Sequence, residues 1–294
     1  MKLTWNDIEH RLSGLRPVGG GFSITQRGLL SLNDGRHVFI KIGLQDDTKH
    51  WVKKEIAVYR FLQHQGYPHI PELVAVNNDE TGFAITSLAT EDGWDWSGSW
   101  THARLDATLA ARDALAAITP TGADRAYFSR QTIGRHNEGW VPLLASPELQ
   151  ATLRAKLRAA GHDDLAARLN WAREAERSQA FEFRDDALSH NDLRADNCAW
   201  NARLAAVKLV DWDWMHLGDG RLDVAATLVH VQQSGLAVMT RHAGRLDANA
   251  LHWLAGYWLR SAATPIWSGG QARLRDLQLQ SGLTALELAR QIEA

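Results

Sequence analysis

A single cysteine, Cys198, occurs among the 294 residues of the chain. One thiol excludes an internal disulfide framework and any zinc site built on cysteines. A basic excess is missing as well: 32 Lys and Arg stand against 34 Asp and Glu, a formal net charge of −2. A general nucleic-acid binder carries a basic surplus, so no nucleic acid is expected as a partner. Long apolar runs are also lacking. The longest uncharged run, Val224 to Thr240, has 17 residues and includes His230, Gln232, Gln233, Ser234 and Gly235. It is too short and too polar to span a bilayer. The start, Met1-Lys2-Leu3-Thr4-Trp5-Asn6-Asp7, puts an acid where a secretory apolar region would begin. The expectation is a cytoplasmic protein without membrane association. There are no repeats and no low-complexity tracts.

What is present suits a folded globule. Hydrophobic residues make up 45% and charged residues 22%, enough to bury a sizeable core. The length allows one large domain or two lobes. The count of 13 Trp is high. Several stand in short clusters, which serve either core packing or an aromatic-lined site.

The first 90 residues read as strands plus one helix. Gly28 to Leu32 ends at Asn33-Asp34-Gly35, a hairpin turn signal, and Arg36 to Ile42 returns as the next strand. Trp51 to Gln65 has helical periodicity, with Val52, Ile56, Tyr59 and Leu62 on one stripe and Gly66 at the stop position. Gly82 to Leu88 reads as another strand. The polar segment from Ala89 to Gly93 marks a lobe boundary, so the expected domains are residues 1–89 and 90–294. The second is mostly helical: His102 to Ile118, Pro147 to Ala160, Asp163 to Glu176, Asp223 to Val238, Asp247 to Ser261 and Gly270 to Glu293. A short β-like insertion lies between Asn197 and Asp211. The fold class is α+β, with a small β-rich lobe before a larger helical one, an order that suits a ligand cleft.

The chemistry concentrates in one stretch. Ser189 to Asn197 contains His-x-Asp-x4-Asn, and Val207-Lys208-Leu209-Val210 leads into Asp211-Trp212-Asp213. A hairpin centred near Leu204 would set Asn197 opposite Asp211. An amide oxygen and a carboxylate converging there form a hard-oxygen site suited to magnesium. Asp192 precedes Asn197 on the entering loop, where a carboxylate can accept a proton from an attacking hydroxyl. The plain alternative is a polar loop followed by a hairpin with acids at its strand ends.

Three features upstream bear on that choice. Lys41 interrupts a mostly apolar strand, where a charge needs a partner unless the strand is an edge open to solvent. Glu55 falls inside the apolar stripe of the following helix and asks for a cation, unless it snorkels at the stripe's edge. Lys41 is the natural partner, and such a pair can hold an ammonium against phosphate oxygens. Gly19-Gly20-Gly21, followed by Ser23, is either a flexible linker or a turn whose backbone N–H groups approach phosphates.

Taken in order, the Gly-rich turn, Lys41, Glu55, His190-x-Asp192-x4-Asn197 and Asp211-Trp212-Asp213 resemble the aminoglycoside phosphotransferase family within the protein-kinase-like fold. The resemblance runs from about Gly19 to Asp223 and is strongest over residues 188–225. It implies a bilobal kinase fold, ATP or GTP as donor, magnesium, and a small hydroxyl-bearing acceptor. Asp192 then resembles the catalytic base, Asn197 and Asp211 the magnesium ligands, and Lys41 with Glu55 the pair that grips the nucleotide. Ser87, Leu88 and Ala89 fall at the interlobe hinge that contacts adenine. Asp223 resembles the acid that braces the catalytic loop. The chain departs from the family in having Asn191 where Gly is usual. It also has Arg194-Ala195-Asp196-Asn197 in place of His-Pro-Gly-Asn. Arg194 either adds positive charge at the transferring phosphoryl group or pairs with Asp196.

For the acceptor, Asp95 and Trp96 in Glu91-Asp92-Gly93-Trp94-Asp95-Trp96, together with Asp213 and Trp214, are the candidates to meet an amine by charge and cation–π contact. Lobe packing is the alternative for the Trp cluster. An antibiotic of the aminoglycoside kind, a choline- or sugar-type metabolite, and a catalytically inert nucleotide-binding role remain open. Against the last, a binding module needs no proton acceptor.

Overall fold

The computed structural model describes residues 3–19, 24–130, 138–266 and 271–294. The chain divides into two compact units, residues 1–124 with 192–215, and residues 125–191 with 216–294. The lobe boundary expected at residue 89 lies inside the first unit. The segment from Asp192 to Met215 is grouped with the β-rich part because its hairpin and the turn after it pack there. The first helix of the Ala- and Leu-rich half belongs to the same unit.

The first unit opens with helix α1 (Trp5–Glu9), capped by Thr4, and strand β1 (Arg16–Pro17). Strands β2 (Thr25–Ser31) and β3 (His37–Gly43) form the expected hairpin. Gly35 at its turn takes a φ of 82°, a left-handed conformation that glycine adopts without steric cost. Helix α2 (Asp46–His64) begins five residues before the periodic stripe suggested, because Gln45 and Thr48 form a reciprocal cap. Strands β4 (Leu73–Val76) and β5 (Gly82–Thr86) follow. The sheet order is β1-β2-β3-β5-β4. β3 is therefore the central strand, and the edge-strand alternative for Lys41 is ruled out. Val38 and Ile40 bury on one face against Trp5, Ile8 and Leu30. Lys41 points to the other face, by the two-residue period of a strand. A Cβ built on Gly43 would come within 2.6 Å of the Lys49 backbone nitrogen. Only glycine lets β3 turn this closely into α2, and that turn sets Glu55 opposite Lys41.

Helix α3 (His102–Ala116) is capped by Thr101, and the chain leaves the unit along α4 (Gly122–Arg130). The second unit contains α5 (Trp140–Ala145), α6 (Pro147–Ala159), α7 (Asp163–Arg168), α8 (Trp171–Gln179) and strand β6 (Ala187–Ser189). The single helix expected from Asp163 to Glu176 is two. Asn170 accepts a hydrogen bond from Arg173 N–H and starts α8 afresh. In the first unit, β7 (Cys198–Asn201) and β8 (Ala206–Leu209) form the expected hairpin. The second unit resumes with β9 (His216–Gly218), paired with β6. It ends in α9 (Gly220–Gln233), α10 (Met239–His242), α11 (Ala248–Ala263) and α12 (Arg273–Glu293). Among the described residues no helix is long and apolar enough to cross a membrane.

Candidate functional site

Lys41, Glu55, Asp192, Asn197 and Asp211 all belong to the first unit. Lys41 Nζ lies 2.6 Å from Glu55 Oε2 and 2.6 Å from Asp211 Oδ1. Both side chains of the Lys41–Glu55 pair are buried, Glu55 to 1% exposure. The other Glu55 oxygen accepts the Trp212 backbone N–H. The snorkelling alternative for Glu55 is excluded. Burial pushes the Glu55 carboxyl up to about 7 against the pull of Lys41. Lys41 itself is held well above the usual lysine range by Asp211 and Glu55, which outweigh its own burial.

Asp211 sits at φ 67°, ψ 62°. This left-handed conformation is uncommon outside glycine, and Asp and Asn are among the residues that tolerate it. It sharply reverses the chain after β8 and carries Trp212–Trp214 onto α2. Asn197 closes a 3₁₀ turn, Ala195–Asn197, just before β7. Its side-chain NH2 donates to the Asp192 carboxylate at 2.8 Å and to the Asp192 carbonyl at 2.8 Å. The hairpin register differs by one residue from the expected one. Cys198 pairs with Leu209, and Val210 N–H donates to the Asn197 carbonyl, so Asn197 aligns with Val210 rather than Asp211. The turn closes between Arg203 and Leu204 instead of on Leu204, and the reversal at Asp211 then re-aims that side chain.

Arg194 lies 3.1 Å from Asp192 and 3.3 Å from Asp196, so the pairing with Asp196 is present and Asp192 shares it. Burial pushes the Asp192 carboxyl up to about 6; Arg194 opposes this and Asp211 adds to it. Asp213 is raised well above the ordinary carboxylate range, by burial and then by Asp211. Its Oδ1 is buried without a hydrogen-bond donor. Asn191, where the family pattern has Gly, sits at φ 65°. The position needs a residue that tolerates the left-handed region, and Asn does. Within the second unit, Asp223 accepts the N–H groups of His190 and Asn191 at 3.2 and 2.9 Å. This brace is the one the resemblance implies for Asp223.

These oxygens suit a hard cation. Among the described residues Asp213 Oδ1 is buried without a donor, and burial, with Asp211 adding to it, pushes the Asp192 and Asp213 carboxyls up. A divalent ion would relieve both. No group of three or more His, Cys, Asp or Glu is placed to hold a metal among the described residues.

Ser87, Leu88 and Ala89 follow β5. Ser87 N–H donates to His37, and the Leu88 carbonyl accepts the Trp96 indole N–H at 2.8 Å. Among the described residues the Ser87 carbonyl and the N–H groups of Leu88 and Ala89 have no hydrogen-bond partner. A cavity of about 500 Å³ includes Ser87 and Leu88 with Gln63, Tyr67, Pro71 and Trp94. It touches none of Lys41, Asp192, Asn197 or Asp211 and is a neighbour of the site rather than the site itself. Asp95 pairs by backbone with Trp200, and its carboxylate accepts the Ser97 N–H. Asp95 and Trp96 are thus tied into the segment beside the hinge. Trp214 is 42% exposed. Nothing lies within 4 Å of a Cβ built on Gly19; Gly20, Gly21 and Ser23 lie outside the described residues.

Two buried cations gave weaker sequence signals. Lys54 lies on α2 immediately before Glu55, aligned with Val58 and Phe61, and is 7% exposed. Burial lowers its ammonium to about 8, with Asp213 pulling the other way. Arg104 interrupts the apolar face of α3 and is fully buried. A charge on a helical stripe was the available clue in both cases, the same clue that singled out Glu55.

No family model matches the sequence, and no curated protein matches it. Solved structures do. Choline kinase LicA from Streptococcus pneumoniae aligns over 96% of this chain and 98% of its own, with a TM-score of 0.56 at 11% identity. Spectinomycin phosphotransferase APH(9)-Ia, in complex with ADP and spectinomycin, aligns over 98% of both chains, with a TM-score of 0.57 at 12% identity. The gentamicin complex of APH(2")-IIa gives 0.53 at 15% identity, over 96% of this chain and 95% of that one. The chain has their kinase-like fold. The α+β class and the resemblance read from the motifs agree with that likeness, which extends over almost the whole chain.

Proposed function

We propose that the protein is a small-molecule kinase that transfers the γ-phosphoryl group of ATP or GTP to a hydroxyl group. The observation that carries this reading is a juxtaposition. Residues 41, 55 and 211 meet at 2.6 Å contacts, and residues 192 and 197 meet at 2.8 Å, in one compact unit. The fold shared with kinases and phosphotransferases supports it.

Asp192 holds the acceptor hydroxyl and takes its proton as the oxygen attacks phosphorus. A carboxylate raised to about 6 is a better proton acceptor than an ordinary aspartate and is still largely ionised at neutral pH. Asn197 keeps the Asp192 carboxylate turned by donating to it. Arg194 sets a guanidinium beside the same carboxylate and counters charge on the transferring group. Lys41, steadied by Glu55, holds nucleotide phosphate oxygens, while the Ser87 carbonyl and Ala89 N–H receive the base. Asn197 and Asp211 would hold magnesium, which when bound neutralises charge on the phosphates.

For the acceptor we infer a small amine-bearing alcohol. Asp213 and the half-exposed Trp214 lie within three residues of Asp211 and supply an acid and an aromatic face. Asp95 and Trp96 contribute through the hinge segment they anchor. LicA is a choline kinase and APH(9)-Ia was captured with spectinomycin, so amine-bearing hydroxyl compounds are the library to test. Nucleotide hydrolysis stimulated by a library member, with a mass gain of one phosphoryl group on that compound, is the expected result. Asp192→Asn should keep magnesium–nucleotide binding and lower turnover by about two to four orders of magnitude. Unchanged turnover in that variant would remove Asp192 from the mechanism. Nucleotide binding with no turnover on any acceptor would favour the inert alternative.

A further inference from the structure

Arg104 has 0% exposure, and the nearest carboxylate, Asp95, is 3.9 Å from it. A buried guanidinium without a close counter-ion must be met by dipoles, and here they are backbone carbonyls. One terminal nitrogen donates to Ser99 at 2.9 Å. The other donates to Ala195 at 3.0 Å and Cys198 at 2.6 Å. The guanidinium carbon also lies 4.7 Å from the centre of the Trp100 ring. The two carbonyls from the catalytic segment are the telling ones. Ala195 opens the 3₁₀ turn and Cys198 begins β7, so they bracket Asn197 on either side. Stability alone is a poor reason for this residue, because a buried charge is generally no better than a well-packed apolar side chain of the same volume. Lysine could not replace it either, since only the planar fork presents donors to three fixed acceptors.

We propose that Arg104 is the positioning residue of the metal-binding turn, clamping the carbonyls on both sides of Asn197 so that its amide oxygen is fixed for the cation. The proposal rests on the kinase reading of the site. Through Ser99 and Trp100, the clamp also fastens that turn to the segment that begins α3, which runs back to the hinge.

The test measures the magnesium concentration at which saturating ATP half-completes its thermal stabilisation of the protein. It also measures nucleotide affinity in EDTA and the unliganded melting temperature. Arg104→Lys and Arg104→Gln should raise the magnesium midpoint ten-fold or more while leaving metal-free nucleotide affinity within two-fold. In an Asn197→Ala background, Arg104→Lys should leave the midpoint where Asn197→Ala alone puts it, because its effect runs through Asn197. A lower melting temperature with an unchanged midpoint would make Arg104 a packing residue and overturn the proposal. Trp100→Leu, which removes only the ring against the guanidinium, covers the case in which neither arginine variant folds. It should raise the midpoint about three-fold, and an unchanged midpoint again overturns the proposal. Absence of magnesium-dependent stabilisation in the wild-type protein is a separate outcome. It refutes the kinase reading and the clamp with it.

Discussion

Replacing Glu55 by Gln separates what this buried acid does for the site from what it does for stability. Glu55 is 1% exposed, contacts Lys41 at 2.6 Å and accepts the Trp212 N–H. Its carboxyl is raised by burial to about 7, from an ordinary 4.5. The native state therefore binds more protons than the unfolded chain between those values. Stability falls as pH rises through that window, and the full penalty is reached above about 7. At about 1.4 kcal/mol per factor of ten in proton affinity, the gap amounts to about 3 kcal/mol at most. Gln resembles the protonated acid and does not titrate. Lys41 keeps Asp211 as its counter-ion, and the Gln carbonyl can still accept from Trp212. Urea unfolding at pH 5 should thus give the two proteins equal stability within about 1 kcal/mol. At pH 8 the variant should have gained roughly 1–3 kcal/mol relative to wild type. Nucleotide affinity should meanwhile drop ten-fold or more, since Lys41 loses one of the two carboxylates that hold it. A stability difference that stays constant from pH 5 to pH 8 would refute the reasoning. A variant that became relatively less stable at pH 8 would mean that attraction to Lys41 outweighs burial.

Asp211→Asn should abolish the magnesium-dependent part of the thermal shift caused by ATP; equal shifts in both proteins would remove Asp211 from the ligand set. Trp96→Phe keeps the ring but strips the donor from the Leu88 carbonyl, which should lower stability by about 1 kcal/mol and raise the nucleotide Michaelis constant more than that of the acceptor. The reverse pattern would place Trp96 against the acceptor directly. In the second unit, His252 stacks on Trp140 and its Nε2–H donates to the Glu174 carbonyl at 3.1 Å. Burial lowers its pKa from 6.5 to about 4, so the unfolded chain takes up the proton first, and stability falls as pH drops from about 6.5 to 4, by about 3 kcal/mol at most. His252→Gln should flatten acid denaturation followed by circular dichroism over that range, and parallel curves would show that other groups control it.

Local rules carried much of this protein without coordinates. The Asn33-Asp34-Gly35 turn, the α2 stripe and the alternation along β3 are periodicities and turn chemistry written in adjacent residues, and the folded chain keeps them. A charge in an apolar pattern, at Lys41 and Glu55, was legible as a buried pair because an uncompensated charge there is too costly to persist. The His-x-Asp-x4-Asn stretch was legible as a candidate because its acid and amide stand five residues apart on one loop, and the folded chain joins them by a 2.8 Å hydrogen bond. Other features depended on long-range packing, which no window of sequence contains. The hairpin slipped by one residue relative to its sequence reading, because register is decided by which side chains the facing elements bury. The reversal at Asp211, at φ 67°, re-aims the carboxylate in a way no propensity predicts. Asp95 and Trp96 stood out in sequence only as an acid and an aromatic in one cluster; the pairing of Asp95 with Trp200 and the Trp96 indole bond to the Leu88 carbonyl belong to the tertiary fold. Arg104 reads in sequence as one arginine in an alanine-rich helix. Its three acceptors lie at residues 99, 195 and 198. Only the tertiary fold brings α3 beneath the turn that holds Asn197, and there a buried guanidinium finds the carbonyls it needs.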